Sequence, residues 1–424
     1  MKMKIKIGYV GVGRRGLAVL KNCFTKMNDV EIAVLCETSD KRIEMAKDVF
    51  VENQKPIPKI TNRFDDIITD PEIDAVVIMT GWDSRPKMAK KAMLAGKYTA
   101  IEVGCADTLD DCFELISVYE QTGTPLMMLE NCCYGRREML ALNLVKKGLL
   151  GELVHCTGAY SHYLNSVELF SEMLSENSES VTHYRLKHYI EKNRDNYPTH
   201  ELGPICKVLG INRGNRIVKL SSFSSKAIGI KSFAEERFGK DSEYAKIDYK
   251  QGDIVNTIMT CAGGETISIS LDTTVPRAYY SRNFSVRGTK GMISEERCAV
   301  FLEGMEEPTY NNEKEMFQKY DHPLHAEYEK VGARGGHGGM DWLVCRAFVE
   351  AVKNGTNTPI DAYDTVTWLA VGALSEQSIN SGGMPVDFPD FTNGKWQNRE
   401  PAVLGKYCLD EICIDESIEI ANEG

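Results

Sequence analysis

The chain has 424 residues, 42% hydrophobic and 26% charged, with a formal net charge of −11 at pH 7. That length exceeds one compact core and predicts two domains. An acidic surface disfavours nucleic acid and anionic membranes as partners, and no apolar run approaches the roughly 18 residues of a membrane span.

In chain order, residues 4–11 (KIKIGYVG) predict a buried parallel strand that stops at glycine. Leu17, Leu20 and Phe24 recur at helical spacing, predicting a helix over 16–27, and VEIAVLCE (30–37) reads as a second strand. A helix over 41–51, a strand over 73–80, a helix over 87–94 and a strand over 98–103 follow. A helix over 109–122 and the strand PLMMLEN (125–131) complete the series. Such alternation across short connections predicts an α/β fold with a doubly wound parallel sheet. After Asn131 the texture changes. A connecting helix over 137–147 ends at Gly148, and ETISISLDTTV (265–275) alternates apolar and polar residues, as a strand with one solvated face does. Helical spacing returns over 340–353 and 364–379. The expected layout is a parallel-sheet domain over 1–131 and an α+β domain with an open, mostly antiparallel sheet over 132–395. An acidic tail over 396–424 has no assignable fold.

Gly11-Val12-Gly13-Arg14-Arg15-Gly16 is a G-x-G-x-x-G that follows a strand and opens a helix, and Glu37 ends the second strand 21 residues past Gly16. In that context the pattern is the dinucleotide-binding fingerprint of a Rossmann domain. The glycines admit a pyrophosphate to the helix N-terminus. Glu37 suits ribose hydroxyls and would repel a 2′-phosphate, so the expected cofactor is NAD. Arg14 and Arg15 are within reach of a phosphate.

Glu102-Val103-Gly104 stands where the glucose–fructose oxidoreductase/inositol dehydrogenase/MocA family has Glu-Lys-Pro. The segments at 128–139, 158–164, 196–204, 271–291 and 335–342 resemble the NAD-dependent glycosidases of glycoside hydrolase family 109, whose characterised activity is α-N-acetylgalactosaminidase. In the family's dehydrogenases the lysine assists proton transfer and an aspartate precedes the active-site histidine by four residues. Here Val103 and Asn196 occupy those positions.

The resemblance implies a carbohydrate substrate and a glycosidase outside the usual carboxylate-pair scheme. In such a glycosidase retained NAD would accept the C3 hydride, the ketone would acidify the C2 proton, and a base would remove it as the leaving group departs. Water would then add and the hydride return. His200 matches the family's active-site histidine and is expected to exchange the C3 hydroxyl proton; Tyr197 matches a site tyrosine. Tyr160 and His162 are two apart in an expected strand and share a face. Any of Tyr160, His162 or Tyr197 can be the C2 base, Tyr160 being preferred if a neighbouring cation activates it. Glu102 and Glu130 lie at the carboxyl edge of the sheet, suited to cofactor binding, with Asn131, Arg277 and Tyr280 (rather than Tyr279) as substrate-binding residues. His337, in a Gly-Gly-His-Gly-Gly loop, suits loop closure or cofactor contact, and equally a helix-opening turn.

No metal is expected. His183 and His188 are five apart, and none of the 13 cysteines has zinc spacing. The scattered cysteines read as reduced thiols, and the N-terminus runs directly into a strand without room for a signal peptide; the expected compartment is cytoplasmic. The open sheet leaves a face for a homodimer or higher homo-oligomer. Two other readings stay open, an NAD-dependent sugar or polyol dehydrogenase that releases NADH and a non-catalytic NAD-sensing protein.

Overall fold

A computed structural model describes residues 4–174, 182–332 and 334–413. The first sheet contains β1 (Ile5–Val10), β2 (Val30–Cys36), β3 (Lys59–Thr61), β4 (Ala75–Ile78), β5 (Tyr98–Ile101) and β6 (Leu126–Met128). All are parallel, in the order β3-β2-β1-β4-β5-β6. Ala75 to Ile78 are buried on both faces because helices cover the sheet on either side. The helix Leu109–Thr122 starts at a Thr108–Asp111 capping box and stops at Gly123, whose φ of 65° is the left-handed cap that glycine adopts without cost. The order reverses between β1 and β4, which opens a crevice at the carboxyl ends of the strands.

The second sheet contains β7 (Leu153–Ser161), β8 (Ile217–Ser224), β9 (Ile254–Cys261), β10 (Thr266–Asp272), β11 (Ser285–Gly288), β12 (Gly291–Ser294), β13 (Ala299–Leu302) and β14 (Val386–Asp387). Its order is β13-β12-β11-β7-β10-β9-β8-β14, antiparallel except for the pair β7 and β10. In β9 every second residue is buried, so one face meets the core and the other is open. The helix Thr199–Val208 lies on the inner face. The helix Ala362–Asn380 covers the edge of the first sheet: Met128 N–H donates to Thr365 Oγ1 at 3.1 Å, which satisfies a group that an open edge would expose.

The expected 16–27 helix spans Arg14–Asn22, followed by a separate 3-10 turn at Phe24–Lys26. β3 was not foreseen. It is a three-residue edge strand with no buried residue and Pro56 and Pro58 before it, so it carries no apolar alternation. The tail, unassigned from sequence, is described as far as residue 413, and there Tyr407, Cys408 and Leu409 are buried. Among the described residues no helix is long and apolar enough to cross a membrane.

A buried ionic cluster ties these pieces together. Lys207 Nζ donates to Asp364 Oδ2 at 2.6 Å and to Asp410 Oδ1 at 2.9 Å, and Arg213 engages Asp361, Asp364 and Asp410. Burial alone would raise the Asp364 carboxyl; the charges of Arg213 and Lys207 overcome it and hold the group well below the usual carboxylate range. Asp364→Ala leaves two buried cations short of a partner and is expected to cost about 3–5 kcal/mol. Urea unfolding checks this, and a loss below about 1 kcal/mol would count against the cluster as a tie.

Candidate active site

The glycine loop forms the floor of the crevice. Gly11 has φ of 86°, and a Cβ on Gly16 would collide with the Gly11 carbonyl oxygen. Gly13 caps the Arg14–Asn22 helix with no side-chain hydrogen bond, so the first-turn N–H groups face outward without a capping oxygen. Glu37 is anchored: Oε2 accepts from Val12 N at 2.9 Å, and Oε1 accepts from Thr38 N at 2.8 Å and Ser39 N at 3.1 Å. Burial would raise this carboxyl, but those N–H groups win and keep it below its ordinary value. An ionised carboxylate at the end of β2, beside a helix N-terminus stripped of side chains, fits NAD.

Arg15 is engaged elsewhere than with an open phosphate site. Its Nη1 and Nη2 clamp Asp341 at 2.7 and 2.8 Å, and its Nε donates to Glu102 at 3.1 Å. Asp341 also accepts from Asn131 Nδ2 at 2.7 Å and pairs with His337 Nδ1 at 2.9 Å. Burial would raise Asp341, and hydrogen bonds from Arg15 and His337 reverse this and hold it ionised. Arg14 reaches the Val167 carbonyl. Val103 is buried, and its carbonyl accepts from Trp82 Nε1 at 3.2 Å and Arg85 Nη1 at 2.6 Å.

Above this floor, four elements converge. Glu130 follows β6, Tyr160 lies at the end of β7 with His162 just past it, and His200 lies in the first turn of the Thr199–Val208 helix with Tyr197 just before it. Tyr280 is brought in by the Ser161–Ser281 bridge. His200 Nδ1 is 2.7 Å from the fully buried Glu130 Oε1, and its Nε2 is 3.4 Å from the Tyr197 hydroxyl. The Tyr160 hydroxyl is 3.1 Å from His162 Nδ1. Ring centroids lie 4.3 Å apart for Tyr160 and Tyr197, 5.5 Å for Tyr160 and His200, and 5.4 Å for His162 and Tyr280.

Two residues of this wall were missed in the sequence. Arg185 lies 4.6 Å over the Tyr197 ring and 5.1 Å over Trp82, and it hydrogen-bonds toward Tyr160. Trp82 packs at a tilt against His188, with ring centroids 4.9 Å apart, and Tyr197, at 6.1 Å. Trp82 follows β4 at the carboxyl edge, a signal that could have found it; Arg185 sits in a polar stretch with none. Arg277 is bound away from the cluster, to Asp272 Oδ2 at 2.6 Å and to the Tyr279 carbonyl. Tyr279 is 66% exposed, whereas Tyr280 faces the cluster.

Burial raises the Tyr160 phenol strongly, with the Arg185 charge opposing it, and burial lowers His162. The resting pair is therefore a protonated phenol beside a neutral imidazole. Burial raises Glu130, but His200 beside it and the N–H of Cys132 outweigh burial and keep the carboxylate ionised. Glu130, Cys132 and His200 are one group with metal-ligand composition among the described residues, their donor atoms within 4.8 Å of one another. Two of those atoms already share the 2.7 Å hydrogen bond, and burial pushes the Cys132 thiol well up. The arrangement is that of a hydrogen-bonded acid–base pair.

A crevice that fits NAD, beneath a group of tyrosines and histidines, defines an oxidoreductase fold. Residues 5–130 match the model of the oxidoreductase family with the NAD-binding Rossmann fold, and residues 134–398 match the C-terminal domain of glycosyl hydrolase 109. A glycosyl hydrolase family 109 protein of Stenotrophomonas maltophilia is 38% identical over 95% of this chain and 93% of its own. An α-N-acetylgalactosaminidase of Tannerella forsythia is 35% identical over 94% of this chain and 88% of its own. The chain belongs to glycosyl hydrolase family 109, the NAD-dependent glycosidases. Among solved structures, a levoglucosan dehydrogenase with NADH and levoglucosan aligns with a TM-score of 0.67 at 17% identity, covering 91% of this chain and all 100% of that one. An inositol dehydrogenase homologue from Azotobacter vinelandii with NAD+ gives 0.67 at 16%, covering 92% and 98%. These two share the fold.

Two more carboxyls flank His200. Glu201 and Asp195 are fully buried; burial, then the charge of Asp195, raises Glu201 well above its ordinary value, and burial pushes Asp195 up to about 7. An unfolded aspartate ionises near pH 4, so the native state binds the extra proton between about pH 4 and 7 and stability falls as pH rises through that window. Asp195→Asn removes this slope. The variant's stability relative to wild type should rise by up to ~1.4 kcal/mol per pH unit across the window, read by urea unfolding. A pH-independent difference would contradict it.

Proposed function

We propose that the protein hydrolyses N-acetylgalactosaminides, the α-linked sugar first, by transient oxidation at C3 and elimination across C1 and C2. The observation that carries this reading is the cluster of Tyr160, His162, Tyr197 and His200 over an NAD crevice that has Val103 in place of the dehydrogenases' lysine. The sugar comes from relatives named α-N-acetylgalactosaminidase in Tannerella forsythia and Shewanella oneidensis.

Bound NAD would supply a hydride acceptor and donor at C3, held by Gly11, Gly13, Gly16 and Glu37. The chain's own groups move the protons. Nδ1–H of His200 is committed to Glu130, which fixes the tautomer and leaves Nε2 to take the C3 hydroxyl proton. At C2 the base is Tyr160, whose hydroxyl lies 3.1 Å from His162 Nδ1 and beside Arg185, the charge that favours its phenolate; neutral His162 is another candidate base. Tyr197 orients both rings and is the third candidate. His337 is hinged between glycines and bound through Nδ1 to Asp341; its other nitrogen is the acid at the leaving oxygen. Tyr280 and Asn131 border the sugar, Glu102 steadies Arg15, and Arg277 braces the Tyr280 loop.

All 13 cysteines are free thiols, which supports the cytoplasm as the compartment. The outer face of the second sheet, with Phe223 and Ile258 more than half exposed, supports a homodimer through that face. Analytical ultracentrifugation at micromolar concentration should show a dimer, and Ile258→Asp should shift it toward monomer. A wild-type monomer rejects the interface.

The reaction is tested with aryl α- and β-N-acetylgalactosaminides, following phenol release and absorbance at 340 nm together. Release without net NADH is expected. NADH accumulating with free sugar would mean a dehydrogenase, and silence across a broad panel would favour an NAD-sensing protein. His200→Ala should lower turnover by at least ~10²-fold while NAD stays bound; retained turnover sinks its assigned role.

A further inference from the structure

One stretch of the second domain runs across the mouth of the crevice, through a π-type turn at Asn165–Leu169 and a short helix at Ser171–Leu174. It meets the first domain on both sides of the glycine loop. Arg14, inside that loop, donates to the Val167 carbonyl. Arg42, in the helix after β2, has its Nη1 3.9 Å from where a Cβ on Gly13 would stand, and it pairs with Glu172 at 3.6 Å. Across the mouth, after β4, the Tyr184 ring closes on Gly81, where a Cβ would stand 3.3 Å from it, and Lys187 pairs with Asp83 at 3.2 Å.

We infer that residues 165–174 are a strap, latched by Arg14 and by the Arg42–Glu172 pair, that closes over the adenosine half of the crevice and sets how fast NAD leaves. This goes beyond the glycosidase reading and does not depend on it. Position comes first. Glu37, which suits the adenosine ribose, ends β2 just before Arg42, and Arg14 flanks the N–H groups that suit the pyrophosphate. A segment tied to both arginines therefore spans that half of the cofactor. The second point is an asymmetry of anchoring. On the side of its own domain the strap is firmly held. Phe170 is fully buried among Phe233, Phe238 and Tyr244, with ring centroids 5.4 to 5.6 Å apart, and Asn165 Nδ2 donates to the Thr274 carbonyl at 2.9 Å. On the crevice side, the Arg42 and Glu172 side chains are 43% and 38% exposed, and an ion pair in that setting is weak. Strong anchors behind and a light latch in front are what an opening segment requires. Third, the strap continues into the wall of the site. Glu168, in the same turn, lies 3.3 Å from His183 Nε2 and 3.7 Å from Arg185 Nη1, and Arg185 covers Tyr197 and Trp82. A hydride that is lent and returned calls for a cofactor that stays for the whole turnover, which a closed strap secures.

The test loads the protein with NADH, mixes it with excess NAD and follows the fall of bound-NADH fluorescence as release. No glycoside is needed, so failure of the reaction reading leaves the measurement intact. Glu172→Ala should release NADH about 3-fold faster than wild type. Arg14→Met combined with Glu172→Ala should release it at least ~10-fold faster. Both variants should keep the wild-type midpoint in urea. Sodium chloride at about 0.5 M should speed wild-type release as much as Glu172→Ala does and add little to that variant, because it screens the same exposed pair. A wild-type release rate in Glu172→Ala overturns the strap, since Arg14 would then act only as a cofactor contact. Faster release accompanied by a lowered urea midpoint also overturns it, since that marks a general loosening of the domains.

Discussion

The hydrogen bond from His200 Nδ1 to Glu130 Oε1 joins the end of the parallel sheet to the first turn of a helix in the second domain. Glu130 is fully buried, so its charge must be met inside the protein, and His200 and the Cys132 N–H meet it on one oxygen. Once that contact forms, much else is placed. The imidazole presents Nε2 to the cleft, Tyr197 three residues earlier lands on Tyr160, and the helix behind them rests on the inner face of the second sheet.

A second tie runs from the cofactor loop to the far end of the chain. Asp341 gathers Arg15, Asn131 and His337, so the dinucleotide floor, the sheet edge and the Gly-Gly-His-Gly-Gly loop share one carboxylate. His337 and Arg15 of the glycine loop are thereby held by the same carboxylate. That also explains why an arginine within the glycine motif is a strut. Where a dehydrogenase has its lysine, the backbone at Val103 is pinned from outside by Trp82 and Arg85.

Much of this was readable in the sequence because the signals are local. The glycine loop, Glu37 and the alternating strands each declare themselves within a few dozen residues, and so does the alternation of β10. His200, Tyr160, His162 and Tyr197 were legible as a set only through the family resemblance, and the structure brings them together. What escaped was decided by distance along the chain. Arg185 becomes a site residue because a helix carries it over Tyr197 and Trp82, and nothing around it in sequence marks that role. Arg15 reads as a phosphate ligand until Asp341, 326 positions away, claims its guanidinium. Arg277 was placed by its aromatic neighbours, yet Asp272, five residues back, holds it on the sheet. The tail past residue 396 looks featureless because its burial depends on Tyr134 and the Lys207–Arg213 cluster.

The central claim is that bond cleavage proceeds by elimination, with the C3 hydrogen kept and the C2 proton exchanged. Turnover in deuterated water, followed by NMR of the released N-acetylgalactosamine, tests it directly. The expected product carries solvent deuterium at C2 and ordinary hydrogen at C3. A product without deuterium at C2 would contradict the account, whatever the rate of release.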